Sequence, residues 1–257
     1  MLKLTDTQKM LLGLLGHTLF GAEKPARAGT PEALWTEAVF QAVYLTALRD
    51  ADGDAFAPEL KQEVRRTVRL GLAKNVRIAN AHSAISVLLE RAGIPHVLIK
   101  GHASAMWYPE PELRQLGDVD FYVDEADVQR TEALMLQEGF TAEKTSHGFH
   151  HVFSKDGCHF ELHYAIPGVP EGETGDRCKA LLQDILSRSA VRHTPFGDMR
   201  LPSTFHHGLI LLLHAAHHLT NSGIGLRHLC DWAVFAGTVP EADFSAMYGD
   251  CLRRLGL

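Results

Sequence analysis

Through the first ninety residues the apolar positions recur at helical spacing. Thr5 and Gln8 form a capping-box pair ahead of the apolar run that ends at Phe20, which predicts a helix there. Thr30-Pro31 marks a second start, followed by Leu34, Ala38, Ala42 and Leu45 on one helical face. A third helix opens near Pro58 with Leu60, Val64, Val68, Leu72 and Val76. It runs to Ala92, where Gly93 and Pro95 stop it, a length of ~50 Å at ~1.5 Å per residue. Arg65, Arg66, Arg69, Lys74 and Arg77 gather on this helix, either as its solvated face or as a partner- or nucleic-acid-binding face.

The pattern changes at Ile94. The run His96 to Lys100, ended by Gly101, reads as a short buried strand, and His102–Tyr108 as a brief helix broken by Pro109 and Pro111. Asp118 to Val123 reads as a second strand, and Asp124 caps a helix to Glu138 that Gly139 stops. Phe149–Lys155 and Cys158–Ile166 flank Asp156-Gly157, a strong hairpin signal. The middle third is thus a small α/β or α+β layer. A Gly/Pro/Glu-rich connector, Pro167–Asp176, leads to a helix at about 177–189 and a turn-rich segment around Pro195–Asp198. Three further helices follow, the first capped by Ser203 after Pro202. The organisation expected is a helical region 1–92, an α/β core 93–166 and a mainly helical region 167–257.

Composition narrows the classes. With 46% hydrophobic and 22% charged residues the 257-residue chain is a soluble globular protein with one or two domains. No apolar run reaches the ~18–20 residues of a membrane span. The N-terminus lacks the zones of a secretory signal, and Cys158, Cys178, Cys230 and Cys251 show no CxxC spacing, so the compartment is read as cytoplasmic. A net charge of −6 makes long nucleic acid an unlikely partner, although a local basic patch is compatible with it. Histidine is abundant, with 16 copies.

The candidate chemistry begins with acids. Asp118 and Asp120 are two apart on a predicted strand and leave it on one face, while Val119 and Phe121 point into the core. Two carboxylates there repel unless a cation lies between them, and oxygen ligands of this kind suit Mg²⁺ or Mn²⁺. On the later strand His159, Glu161 and His163 share one face, opposite Cys158, Phe160, Leu162 and Tyr164. If the two strands are neighbours, Glu161 completes a three-carboxylate cluster able to hold two divalent ions. Taken singly, Asp-x-Asp also occurs at turns and helix starts, and Glu161 also reads as an edge-strand charge.

The order of these parts resembles the nucleotidyltransferase superfamily related to DNA polymerase beta: a glycine turn after a first strand, then Asp-x-Asp, then a third-strand acid. The closer resemblance is to a less-characterised nucleotidyltransferase group, carried by LIKG (98–101), YPEPELRQLGDVD (108–120) and ELH (161–163). HAAHH (214–218) and the segment Arg227 to Asp231 extend it over most of the chain. The resemblance implies an α+β fold, a small mixed nucleotidyltransferase-type sheet flanked by N-terminal and C-terminal helical regions. It implies metal-dependent transfer of an NMP from an NTP to a small molecule, a peptide or protein, or an RNA end. Asp118, Asp120 and Glu161 would be the metal ligands and catalytic acids, with Glu161 helping to deprotonate the acceptor. Gly101 would let the backbone approach the triphosphate, Lys100 would neutralise phosphate charge, and Arg114 would be a phosphate or structural contact. The wider superfamily has Gly-Ser where this chain has Gly101-His102, so the phosphate grip is expected from backbone amides, Lys100 or His102. The interval from Gly101 to Asp118 is also long for the superfamily.

Two rival functions stay open: a non-catalytic nucleotide- or partner-binding module with this fold, and a zinc hydrolase using His214 and His218. The latter pair is four apart on one helical face but lacks the Glu of a His-Glu-x-x-His base, and core or interdomain histidines hydrogen-bonded to backbone or acids are the favoured reading of it. His163 and His159, flanking Glu161, either tune it or bind phosphate. Of His150-His151 and of His206-His207 one member each is expected exposed. Arg227 and Asp231, four apart, read as an ion pair. Trp107 and Tyr108 either stack on a base or pack in the core. Lys100 has a second reading as a solvated strand-end lysine, and Cys230 is expected buried and inert.

Overall fold

In the computed structural model, residues 3–26, 29–49, 57–144, 148–221 and 223–255 are described. Helices α1 (Asp6–Phe20), α2 (Pro31–Phe40), α3 (Tyr44–Ala47) and α4 (Pro58–Arg91) precede β1 (His96–Leu98), α5 (His102–Ala105), β2 (Val119–Val123) and α6 (Val128–Gln137). Then come β3 (Thr141–Ala142), β4 (His150–Lys155), β5 (Cys158–His163), α7 (Gly172–Leu182), β6 (Ala190–Thr194), β7 (Gly197–Leu201), α8 (Thr204–Asn221), α9 (Leu226–Thr238) and α10 (Glu241–Leu255). The fold is α+β.

The sheet runs β1-β2-β5-β4-β3, mixed in direction: β2 and β5 are parallel, and the other pairs antiparallel. Alternation along the strands decides what each face meets. Leu98, Val119, Phe121, Phe153, Phe160 and Leu162 pack against Ile78, Ile85 and Leu89 of α4 and Met135 of α6. Val97 and Ile99 turn the other way, against Leu182 of α7 and Leu209, Ile210 and Leu213 of α8. Phe121, Leu98 and Leu162 are wholly buried, each worth roughly 2–3 kcal/mol of apolar transfer. Asp120, between Val119 and Phe121, therefore leaves β2 on the side that α8 covers. A separate cluster joins Leu11, Leu14, Trp35 and Tyr44 to Cys230 and Val234 of α9, so N- and C-terminal helices meet.

Several elements depart from the pattern read in the sequence. The helix expected through Ala42 and Leu45 ends at Phe40, and Leu45 belongs to the separate α3. Ala42 takes φ 53°, and Ala42 and Val43 N–H donate to Val39 (3.0 Å) and Ala38 (2.9 Å), a Schellman stop without glycine. On α4 the expected row rotates out of the core: Val64 is buried but Val76 is 45% exposed. Four-residue steps advance about 40° beyond a full turn each, and the buried line continues instead through Ile78, His82, Ile85 and Leu89. Arg65, Arg66, Arg69, Lys74 and Arg77 are all exposed. Asp124 caps a short 3-10 turn, Glu125–Asp127, that leads into α6. The helix placed at 177–189 is Gly172–Leu182, beginning inside the connector. The turn at Pro195–Asp198 is the tip of the hairpin β6–β7, whose strands were not anticipated. Phe149 and Tyr164–Ile166 lie outside the strands.

Cys158, Cys178 and Cys230 are free and buried, and the side chain of Cys251 lies outside the described residues. Among the described residues no helix is long and apolar enough to cross a membrane.

Candidate active site

The strand β1 ends in a turn that no ordinary residue pair adopts at ease. Lys100 has φ 63°, a left-handed conformation costing an L-residue about 1–2 kcal/mol. Gly101 follows at φ 48°, ψ −121°, and a Cβ there would lie 2.4 Å from the buried His82 ring. The turn brings Lys100 Nζ to 2.5 Å from Asp120 Oδ1. Its side chain is 13% exposed, so the solvated-lysine reading fails.

The segment before Asp118 is clamped by α4 and α3. Asn75 on α4 donates to the Glu112 and Arg114 carbonyls (2.8 Å each) and accepts from Leu116 N–H at 2.8 Å. Thr46 donates to the Leu113 carbonyl at 2.9 Å, and Gln115 accepts from Tyr44 N–H at 3.1 Å. These bonds satisfy the Glu112, Leu113 and Arg114 carbonyls and the Leu116 N–H and fix the entry of β2.

Residue Asp120 stands opposite Glu161 in the parallel β2–β5 register. His163, two residues on and wholly buried, places Nε2 3.0 Å from Asp120 Oδ1 and 3.1 Å from Glu161 Oε2. Ionised carboxylates only accept, so this nitrogen carries the proton and shares it between them. Asp118, more exposed, faces the same cavity of about 300 Å³ as Asp120 and Glu161. Partial burial, Asp120 and Glu161 all push its carboxyl upward. Burial also raises Asp120, but Lys100 and His163 outweigh it and hold this carboxyl well below the usual range.

The far wall comes from α8 and α9. His214, His217, His218, Arg227 and His228 line the cavity with Arg114 and Asp231. Burial, Lys100, His218 and His228 push His214 down to about 2, and burial with Arg227 pushes His228 to about 4. Arg227 is lowered by burial and by Arg114. An apolar groove of about 670 Å³ adjoins the cavity, sharing Phe149, Pro167 and His217 with it.

Of the residues expected from sequence, Asp118, Asp120, Glu161, Lys100, Gly101, Arg114 and His163 line one cavity. His102 is not brought there. It is buried, its ring tilted toward His82 at 6.3 Å and edge-on to Phe196 at 5.3 Å. Ser104, not anticipated, lines the cavity instead, and its buried Oγ has no partner among the described residues. His159 is exposed and pairs with Glu143 at 3.1 Å. The ion pair expected between Arg227 and Asp231 is replaced by one between Arg114 and Asp231, because two elements apart in sequence meet with both groups buried. Tyr108 and Trp107 are committed to packing: the tyrosine hydroxyl donates to Asp231 at 2.8 Å and the indole stacks on His207. His206 and His207 are both buried, against the expectation that one is exposed; His206 sits against Ser203 and Asp184, and His207 between Trp107 and Phe235. Burial raises the Cys230 thiol to about 12. His150 and His228 also line the cavity and were missed as site residues; His228 has a faint signal, as a fourth histidine after the HAAHH cluster.

The model of a family described as "uncharacterised nucleotidyltransferase" matches residues 32–257, and the chain belongs to that family. Among curated proteins no relative matches the chain. Solved structures similar to it include the antibiotic-resistance factor ANT(2'')-Ia (10% identity, 70% of this chain and 93% of that one, TM-score 0.47). Others are an antigenic nucleotidyltransferase-like protein from Paracoccidioides brasiliensis (15%, 70% and 92%, TM-score 0.43) and the lincosamide antibiotic adenylyltransferase LnuA (12%, 59% and 92%, TM-score 0.35).

Proposed function

We propose that this chain transfers a nucleoside monophosphate from an NTP to an acceptor hydroxyl or phosphate at the Asp118, Asp120 and Glu161 cluster. The observation that carries the reading is the parallel register setting Asp120 beside Glu161, with Asp118 facing the same cavity. Family membership supports the reaction class.

The donor set fits hard divalent ions. All three acids offer oxygen, and the upward push on Asp118 from its two neighbours is repulsion that a cation relieves. Asp118, Asp120 and Glu161 would hold Mg²⁺ or Mn²⁺, which when bound offsets triphosphate charge and lowers the pKa of an attacking hydroxyl. The chain's own groups do the remainder. Lys100 is placed to exchange its ion pair with Asp120 for a phosphate oxygen, and the Gly101 turn lets backbone approach the same group. Glu161 accepts the acceptor's proton as the acceptor oxygen bonds to the α-phosphorus, and the bond from that phosphorus to the bridging oxygen breaks, releasing pyrophosphate. His163 keeps the two carboxylates at their spacing. The apolar groove at Phe149 and Pro167 is the acceptor's place in this reading. The free cysteines support a cytoplasmic location.

The Lys100–Asp120 ion pair favours a second reading, a non-catalytic nucleotide-binding module in which the lysine stands where a metal would. One experiment separates the two. The full chain is incubated with each α-labelled NTP and Mg²⁺ or Mn²⁺, and pyrophosphate release, self-labelling and transfer to hydroxyl-bearing small molecules, peptides and RNA ends are followed. The transferase reading expects metal-dependent pyrophosphate release that Asp118→Ala/Asp120→Ala abolishes. Metal-independent NTP binding without pyrophosphate supports the module, and equal turnover by the double variant removes the proposed centre.

A further inference from the structure

The histidines on the far wall converge on a point that the carboxylate chemistry does not use. His214 and His218 are one turn apart on α8, and α9 lays His228 against them. Ring centroids are 4.5 Å apart for His214–His218, 4.3 Å for His218–His228 and 5.1 Å for His214–His228. Each ring offers a nitrogen, and the three atoms lie within 4.8 Å of one another. Packing alone leaves this costly. Nδ1 of His214 and both ring nitrogens of His228 are buried without a hydrogen-bond partner among the described residues, and each such group costs roughly 1–3 kcal/mol.

We propose that His214, His218 and His228 bind one transition-metal ion of the zinc class, with its remaining position open to the cavity. Nitrogen donors select Zn²⁺, Co²⁺, Ni²⁺ or Cu²⁺ over Mg²⁺, so the site is chemically separate from the carboxylates across the same cavity. At a zinc–nitrogen distance of about 2.0–2.1 Å, tetrahedral nitrogens stand roughly 3.3 Å apart. Reaching that value from the present spacing requires side-chain rotations on α8 and α9. Three protein ligands rather than four is the pattern of sites that keep a position for water or substrate. The charged groups facing the cluster are Lys100, Arg227 and Arg114, which oppose a cation, and Asp120 and Asp231, which favour it. An anionic oxygen as the fourth ligand adds to the two carboxylates against these three cations.

The proposal stands apart from nucleotidyl transfer, because it is tested without nucleotide. The chelator-stripped full chain is titrated with Zn²⁺ against a chromogenic chelator in excess Mg²⁺. One Zn²⁺ per chain is expected, weakened at least about a hundredfold by His214→Gln or His228→Gln and unchanged by Asp118→Asn. Circular dichroism checks that the variants fold. Substitution of Co²⁺ into the wild type supplies a readout that needs no variant: an intense visible spectrum of tetrahedral nitrogen ligation without thiolate charge transfer. Absence of stoichiometric Zn²⁺, displacement by Mg²⁺, full retention in His228→Gln, loss in Asp118→Asn, or a weak octahedral or thiolate Co²⁺ spectrum would each overturn it.

Discussion

Arg114 and Asp231, 117 positions apart in the chain, form a buried two-bond ion pair in the cavity wall: Nε donates to Oδ1 at 2.8 Å and Nη2 to Oδ2 at 2.6 Å. Tyr108 adds its hydroxyl to Oδ1 at 2.8 Å. The side chains are 7% and 4% exposed, so each charge depends mainly on the other for compensation. Burial raises the Asp231 carboxyl, but Arg114 and Tyr108 outweigh it and keep the group ionised. The pair ties the loop leading into Asp118 to α9, and through α9 to the histidine wall. Removing one partner leaves the other buried and uncompensated. Arg114→Met or Asp231→Leu alone is expected to cost about 3–5 kcal/mol, and the double replacement less than either. Urea unfolding of the three variants measures this; single variants within about 1 kcal/mol of wild type would contradict it.

That pair also shows where sequence reading stops. That Glu161 and His163 share a face was legible because a strand's period of two is local; Asp118 and Asp120 line one cavity, although β2 begins only at Val119. Bringing the two strands together needed only that the buried alternation on each, Val119-Phe121 and Phe160-Leu162, meet in one core. Arg114 offered no local partner, and Arg227 four residues before Asp231 was a plausible false one. The hairpin β6–β7 was illegible for another reason: Ala190 to His193 are all exposed, so no apolar alternation marks the strand. The stop at Ala42 was hidden because the position that usually calls for glycine holds alanine.

The Gly101 turn has no room for a side chain. Gly101→Ala adds both a φ penalty and a contact at 2.4 Å with His82 Nε2. The expected loss is at least about 2 kcal/mol, with NTP binding impaired beyond the stability effect because the turn carries Lys100. The contact is separable from the φ penalty. In a double-mutant cycle with His82→Ala, Gly101→Ala should cost less than in the wild-type background. Strict additivity would show that His82 is not what excludes the methyl group.

Ser104 lines the cavity two residues after the position at which the wider superfamily has its serine. In the free protein that hydroxyl is buried without a partner among the described residues, so Ser104→Ala is expected to leave stability unchanged or slightly raised. If the hydroxyl donates to a phosphate oxygen, NTP affinity falls by about ten- to a hundredfold, the weight of a hydrogen bond to a charged group. Calorimetric titration with ATP in the presence of Mg²⁺ reads this directly. Affinity within twofold of wild type would remove Ser104 from the nucleotide grip.

Acid should weaken the fold through a histidine that does no chemistry. His207 is 1% exposed, stacks on Trp107 at 5.7 Å, and has no hydrogen-bond partner on either ring nitrogen among the described residues. Burial lowers it from about 6.5 to about 4; the nearby Asp231 raises it and Arg114 lowers it, without reversing the effect. The unfolded chain therefore takes up a proton between pH 6.5 and 4 that the folded chain refuses, and stability falls as pH falls through that window. At pH 5 this one group accounts for about 2 kcal/mol lost relative to neutral pH. His207→Phe keeps the stack and removes the proton site, so its loss of stability between pH 7 and pH 5 should be smaller than that of the wild type by about that amount. Chemical denaturation of both proteins at the two pH values decides it, and equal losses would mean that His207 is already charged in the native core.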